Sequence, residues 1–235
     1  FNAWGGKFPP WDDDNAIPAR VAEALDLPVF SGGMILEGGA IEVNGAGQLL
    51  TTEAVLLNPN RNPGMTRAEI EFALIDTLGI REILWLARGI EGDDTDGHID
   101  DLARFIRDDA IVVGVEPDPA APNAVVLAEN MARLREFRTA RGGHFDLIEL
   151  PMPELAAMPD WRLPVLPASY ANFLILNEAV LVPTFRQPER DQRALAILRE
   201  CFPQREVCAI DCTELVEEGG GLHCISQQQP VGNQI

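Results

Sequence analysis

The chain is short of cations. Its 235 residues carry 18 Lys and Arg against 37 Asp and Glu, a formal charge of −19. That balance argues against nucleic acid as a partner, because neutralising phosphates takes clustered Lys and Arg. A field of this sign instead concentrates small cationic ligands, and it also keeps a protein soluble. Cysteine is scarce, with only Cys201, Cys208, Cys212 and Cys224. A chain of this length with 46% apolar residues builds its own core and needs no disulfide scaffold. No apolar run approaches transmembrane length and no leader pattern opens the sequence, so a reduced cytoplasmic setting without a membrane partner is expected. Histidine is scarcer still, at positions 98, 144 and 223. Without a Cys-x-x-Cys or His-x-x-x-His pair, the spacings do not point to a metal. The glycine runs Gly5-Gly6 and Gly219-Gly220-Gly221 lack the lysine of a phosphate loop, and no cofactor is expected.

Against this scarcity the tail stands out. Gly219-Gly220-Gly221-Leu222-His223-Cys224-Ile225-Ser226-Gln227-Gln228-Gln229-Pro230 sets one cysteine in a glycine-rich approach. A nucleophilic thiol needs open space, and glycines let substrate and backbone come close. An unpaired cysteine is ordinarily a small buried hydrophobe. Glycines before it and glutamines after it favour a reactive Cys224 instead. Upstream lie Asp96-Gly97-His98-Ile99-Asp100 and Glu37-Gly38-Gly39. On a strand, His98 and Asp100 share one side, whereas His223 points away from Cys224 and takes a supporting role. Asp93, Asp94 and Asp96 read either as a solvated loop or as a hold for a cation. Cys201, Cys208 and Cys212 fall in or beside the last helix and strand and read as packing.

Periodicity organises the rest. Thr66-Arg67-Ala68-Glu69 is a capping box, opening a helix that turns Ile70, Ala73, Leu74 and Leu78 inward. A strand follows from Ile80 to Leu86. A second helix, Asn123 to Phe137, buries Val126, Leu127, Met131 and Leu134, with a strand from Asp146 to Leu150. A third begins near Pro188, a favoured first helical residue, and buries Ala194, Leu195 and Leu198 before a strand from Val207 to Ile210. A further helix is expected over Asp13 to Leu25. Ahead of these helices lie apolar strand pairs: Gly39–Val43 with Gln48–Thr52 and Ala54–Leu57, Leu102–Ile106 with Ile111–Val115, and Phe173–Leu176 with Val180–Pro183. Asn44-Gly45 is a strong hairpin signal. One pattern therefore repeats: strand, turn, strand, loop, helix, strand. Glu37, His98, Asn172 and Cys224 open successive units at separations of 61, 74 and 52 residues. Radially arranged units would bring these polar positions to one central site, in an α/β propeller.

Together these residues suit one substrate class. Guanidinium is planar, charged and a fork of donors, and Glu37 and Asp100 can bind its edges in pairs. The thiolate of Cys224 then attacks the carbon. His98 protonates the departing nitrogen and afterwards activates water. A free thiol titrates near ~8.5, so the cation or His98 must help to form the thiolate. A guanidine- or polyamine-binding module without catalysis is the alternative from a different class.

The motifs resemble the agmatine deiminase family, shared with bacterial peptidylarginine deiminases. The resemblance rests on Phe1-Asn2-Ala3-Trp4-Gly5-Gly6-Lys7, Leu36-Glu37-Gly38-Gly39, Leu56-Leu57-Asn58-Pro59-Asn60-Arg61-Asn62-Pro63, Gly92-Asp93-Asp94-Thr95-Asp96-Gly97-His98-Ile99-Asp100, Leu166-Pro167-Ala168-Ser169-Tyr170-Ala171-Asn172-Phe173 and the Cys224 tail. It implies the pentein fold, a five-unit propeller, and hydrolysis of agmatine to N-carbamoylputrescine and ammonia without metal or cofactor. The family's nucleophile falls on Cys224, its acid–base on His98 and its guanidinium carboxylates on Glu37 and Asp100. Trp4, Asp94, Asp96, Asn172 and Gly221 are expected to bind substrate, Trp4 against its alkyl chain. Free or peptidyl arginine is the same-class alternative, and would need an arginine at the mouth such as Arg88 or Arg104. The family carries a further upstream unit with a Trp-x-Arg-Asp-type motif that nothing here matches. Residues 1–235 are accordingly expected to be one catalytic domain lacking its N-terminal part. Pairing with a second copy, or with a separate N-terminal fragment, is compatible with the sequence.

Overall fold

The computed structural model describes residues 1–154 and 165–230. The chain opens with a tight turn, α1 (Ala3–Gly6), and then α2 (Asp12–Ala24). Four successive residues of α1 lie at positive φ, from Ala3 at 50° to Gly6 at 78°. Three units of one design follow. The first holds β1 (Glu42–Val43), β2 (Gln48–Thr52), the single turn α3 (Glu53–Leu56), α4 (Arg67–Leu78) and β3 (Glu82–Leu86). The second holds β4 (Ala103–Arg107), β5 (Ala110–Val115), α5 (Ala124–Glu136) and β6 (Asp146–Pro151). The third holds β7 (Leu174–Ile175), β8 (Ala179–Thr184), α6 (Pro188–Cys201) and β9 (Glu206–Asp211), and α7 (Thr213–Glu217) ends the sequence of elements.

Each unit forms its own three-stranded sheet: the first two strands pair antiparallel, the second and third parallel. A parallel pair needs a crossover, and the helix supplies it. The architecture is thus α/β, in separate repeated sheets. Among the described residues these sheets do not close on one another, and no fourth sheet follows Asp211. Among the described residues, too, no helix is long and apolar enough to cross a membrane.

The expected helices form where the apolar periodicity placed them. Thr66 and Glu69 close the capping box, and Gly79 ends α4 in the left-handed conformation at φ 66°. Val126, Leu127, Met131 and Leu134 are buried in α5, as are Ala194, Leu195 and Leu198 in α6. These faces fill the spaces between units. Leu84 and Leu86 of the first unit pack with Ile111, Val113, Val126 and Leu127 of the second. Val112 and Leu150 of the second pack with Phe173, Val180 and Leu198 of the third. The units therefore share cores rather than standing alone.

Three expectations need correction. The strand expected over Gly39–Val43 pairs only at Glu42 and Val43, because Gly38–Ala40 winds into a 3-10 turn. The strand expected over Ala54–Leu57 is instead α3, since the Thr52 side chain accepts from the Val55 amide and caps a helical turn. Leu78 is 40% exposed rather than inward, as are Phe72 and Ile75 on the same helix.

Candidate active site

Two like turns build the floor of the site. Glu37 and His98 each stand in extended conformation just before a 3-10 turn, Gly38–Ala40 and Ile99–Asp101 respectively. Each turn then leads into the first strand of its unit. His98 and Asp100 therefore converge through a turn, and not through the alternation of a strand as the sequence suggested. The two turns press together at Gly39. A β-carbon there would lie 2.5 Å from His98 Nδ1 and 2.9 Å from Asp100 Oδ2. A second close approach sets the loop before His98: a β-carbon on Gly97, at φ 114°, would lie 2.7 Å from the Gly89 nitrogen. The His98 amide donates to Asp93 Oδ2 at 2.9 Å, which pins the histidine from behind.

The third and fourth positions meet beside this pair. Asn172, just before β7, is 2% exposed and reaches four groups. Its Nδ2 donates to Asp101 Oδ1 at 3.0 Å and to Cys224 Sγ at 3.1 Å. Its Oδ1 accepts from the amides of His223, at 2.8 Å, and Cys224, at 3.4 Å. Gly221 is what lets the tail come so near, since a β-carbon there would sit 2.5 Å from Asn172 Oδ1. Cys224 Sγ in turn lies 3.6 Å from Asp100 Oδ2.

His223 is a residue whose place the sequence misjudged. It does not point away from the site, because residues 222–225 form a turn rather than a strand. Its Nδ1 lies 2.8 Å from Asp100 Oδ2, so it supports the carboxylate beside the thiol. Arg61 is another omission, quoted in a motif but given no role. Its buried guanidinium holds Glu37 Oε1 through Nε at 2.7 Å. Asp96 belongs to this arginine: its oxygens take Arg61 Nη1, Asn60 Nδ2 and Lys7 Nζ. Arg104, offered as a mouth residue, is 3% exposed. It sits 2.8 Å from Glu42 Oε2 and donates to the carbonyls of Ala171 and Phe173. Arg88 is exposed and lies 3.7 Å from Glu129.

A cleft of about 1260 Å³ opens over this floor, lined by Trp4, Glu37, Asp94, His98, Glu218 and Cys224 among others. Trp4 is held at its rim by α1. Asn2 Oδ1 accepts from the Gly5 amide, and the Trp4 ring meets Phe1 and Phe8 edge-on at 5.1 and 5.6 Å. Among the described residues, three or more His, Cys, Asp or Glu side chains nowhere converge in an arrangement suited to a metal.

The electrostatics are divided. Burial works against ionising Glu37, but His98 and Arg61 beside it hold its carboxyl below the usual range. Burial likewise opposes Asp100, and His223, His98 and Arg104 outweigh it, so Asp100 also stays charged. Burial of His98 disfavours its cation, yet Glu37, Asp100 and Asp93 carry its pKa above the usual imidazole value. Burial, then the charges of Asp100 and Asp93, push Asp101 well above the usual carboxylate range. Cys224 is reachable from the cleft, but its sulfur sits among Asn172, Asp100 and Gly220. Desolvation there, with the charges of Asp100 and Asp101, pushes the thiol pKa far up. Three buried side-chain atoms at this centre have no hydrogen-bond partner: Glu37 Oε2, His98 Nε2 and Asp100 Oδ1. The first two are 3.9 Å apart.

The chain is similar to known proteins along nearly all of its length. Residues 1–230 match the family described as Porphyromonas-type peptidyl-arginine deiminase. The agmatine deiminase of Pseudomonas fluorescens strain SBW25 is 38% identical, over 98% of this chain and 68% of its own length. That of strain Pf-5 is 36% identical, over 100% and 69%. A solved structure of the agmatine deiminase of Enterococcus faecalis superimposes with a TM-score of 0.92 at 32% identity, over 98% of this chain and 68% of that one. The chain spans about two thirds of the length of the curated relatives it matches, from 65% to 69%. With motif, fold and matched length in agreement, the chain belongs to the Porphyromonas-type peptidyl-arginine deiminase family.

Proposed function

We propose that the cleft hydrolyses the guanidinium of agmatine, giving N-carbamoylputrescine and ammonia. One observation carries this reading: two buried acceptors, Glu37 Oε2 and Asp100 Oδ1, stand unpartnered around a thiol and an imidazole. Leaving such oxygens unsatisfied is costly, and a planar cationic fork satisfies both.

In this reading the guanidinium bridges Glu37 and Asp100 and brings its carbon to Cys224. The thiol rests protonated because desolvation, with the negative charge of Asp100 beside it, opposes its ionisation. A bound cation offsets that opposition, so the thiol releases its proton to solvent in the cleft as the cation binds. The thiolate adds to the carbon, and His98, whose cation the neighbouring carboxylates favour, gives its proton to the departing nitrogen. Ammonia leaves and an amidino-cysteine remains. His98, now neutral, takes a proton from water as the oxygen adds to the same carbon. Collapse expels the sulfur and leaves the ureido product. Trp4 packs on the alkyl chain at the rim, and Asp94 faces the mouth. Asn172 and Gly221 serve by placing Cys224 rather than by touching substrate.

The environment of Arg104 favours agmatine over free or peptidyl arginine. A substrate carboxylate would need a cation to meet it, and Arg104 is already spent on Glu42 and two carbonyls. Residues 1–235 act here as one domain, whose units contribute to the propeller that the motifs imply. Ammonia and ureido product are measured from agmatine with arginine alongside. Turnover of agmatine in preference to arginine is expected; preference for arginine overturns the substrate assignment.

A further inference from the structure

Beneath the cleft, the guanidinium of Arg61 is engaged on every side. Nε donates to Glu37 Oε1 at 2.7 Å, Nη1 to Asn60 Oδ1 and Asp96 Oδ2, and Nη2 to the Thr95 carbonyl at 2.7 Å. The side chain has no solvent exposure. The same cluster reaches the turn that carries Trp4. Lys7 Nζ lies 2.7 Å from Asp96 Oδ1, and Asn2 Nδ2 donates to the Asn60 carbonyl at 2.9 Å. A β-carbon on Gly5 would strike the Asn60 side chain, so this turn is seated directly on the cluster.

A guanidinium is a rigid fork of fixed charge, and one locked at three nitrogens cannot follow a moving partner. It therefore fixes a single orientation of the Glu37 carboxylate. Oε1 is taken, and Oε2 is left without a partner 3.9 Å from His98 Nε2. We propose that Arg61 is a positioning residue for the reaction: by occupying Glu37 Oε1 it reserves Oε2 for the substrate cation. This rests on the reading of Glu37 as a guanidinium-binding carboxylate. Lysine at the same place keeps a charge but not the fork. Its single ammonium cannot hold Glu37, Asp96, Asn60 and the Thr95 carbonyl in one plane.

The test compares two thiol reagents on the intact protein. Cationic 2-chloroacetamidine uses the guanidinium pocket, and neutral iodoacetamide does not; in each, the Cys224 sulfur displaces halide. The wild type is expected to label faster with the cation, and absence of that preference sinks the functional reading together with this inference. Arg61→Lys is expected to cut the cationic rate roughly tenfold to a hundredfold, the scale of a lost charge-assisted contact, with the iodoacetamide rate within about twofold. A wild type with the preference and an Arg61→Lys variant that retains it overturn the inference alone. Coupling is read from Glu37→Gln and the double variant: the two losses are expected to be non-additive, and full additivity is a second refutation. Should the lysine variant not fold, a wild-type crystal soaked with agmatine decides. Ligand on Oε2 with Arg61 still on Oε1 upholds the proposal; ligand on Oε1 overturns it.

Discussion

Gly39→Ala is the smallest change that should disable the site. The added carbon would lie 2.5 Å from His98 Nδ1 and 2.9 and 3.1 Å from the two Asp100 oxygens. Ordinary contact begins near 3.4 Å, so the imidazole must retreat by about 0.9 Å. It has little room to do so. His98 is 5% exposed and Asp100 fully buried, the His98 amide is tied to Asp93, and Asp100 is tied to His223. Overpacking of this kind costs about 1–3 kcal/mol in stability. The greater effect is on chemistry, where a displacement of about 1 Å in a reacting group lowers rate on the order of a hundredfold. Steady-state turnover of agmatine and thermal unfolding are measured together. Gly142→Ala serves as a control, because Gly142 sits at φ 85° in open space. It is expected to lose stability through backbone strain and keep its turnover. Full kcat in Gly39→Ala, or an equal loss in Gly142→Ala, would refute the argument that contact at the facing turns sets the geometry.

Cys224→Ala is expected to abolish ammonia release with little change in melting temperature, since it removes the nucleophile and little volume; substantial residual turnover rejects the covalent route. Asn172→Leu strips partners from Asp101, His223 and Cys224 at once, and should cost about 1–3 kcal/mol and slow Cys224 labelling; an unchanged labelling rate rejects a placing role for Asn172. Stability should be higher at pH 6 than at pH 9 by urea unfolding. His98 is raised above 6.5 and Asp101 above 3.8, so both contribute fully at low pH and lose their contribution as pH rises through their folded values. Glu37 and Asp100, lowered from 4.5 and 3.8, already contribute in full across that interval, so a higher urea midpoint at pH 9 contradicts the assignment of these charges.

Much of this fold was legible because its signals are local. The capping box at Thr66, the proline opening α6 and the apolar stripe of α5 each lie within a few residues, and each formed as expected. The repeat was legible for the same reason, one unit resembling the next. What escaped notice was short or distant. Gly38–Ala40 and Glu53–Leu56 are single turns with no period to detect, so adjoining apolar residues made them look like strands. Arg61 and Glu37 are 24 residues apart, and His223 and Asp100 are 123 apart. Nothing in either neighbourhood announces the pairing. Asp96 is the converse case: an acidic residue in a motif looked free, and its pairing with Arg61 and Lys7 was not legible.

The repeat also explains why so few residue types build the site. Two units present the same local shape, an extended residue followed by a 3-10 turn, and the shared core brings those turns face to face. Identical turns with full side chains would collide there. Gly39 yields the space in one copy, and His98 and Asp100 fill it from the other. The copy that gives up bulk supplies only Glu37, at its entrance; the copy that fills the space supplies both His98 and Asp100. Gly221 repeats the bargain on the third side, yielding to Asn172 so that the thiol arrives beside Asp100. Glycine is thus placed where one unit must admit the chemistry of the next. Among the polar atoms left unsatisfied at that junction are Glu37 Oε2 and Asp100 Oδ1, acceptors that a planar cation could complete.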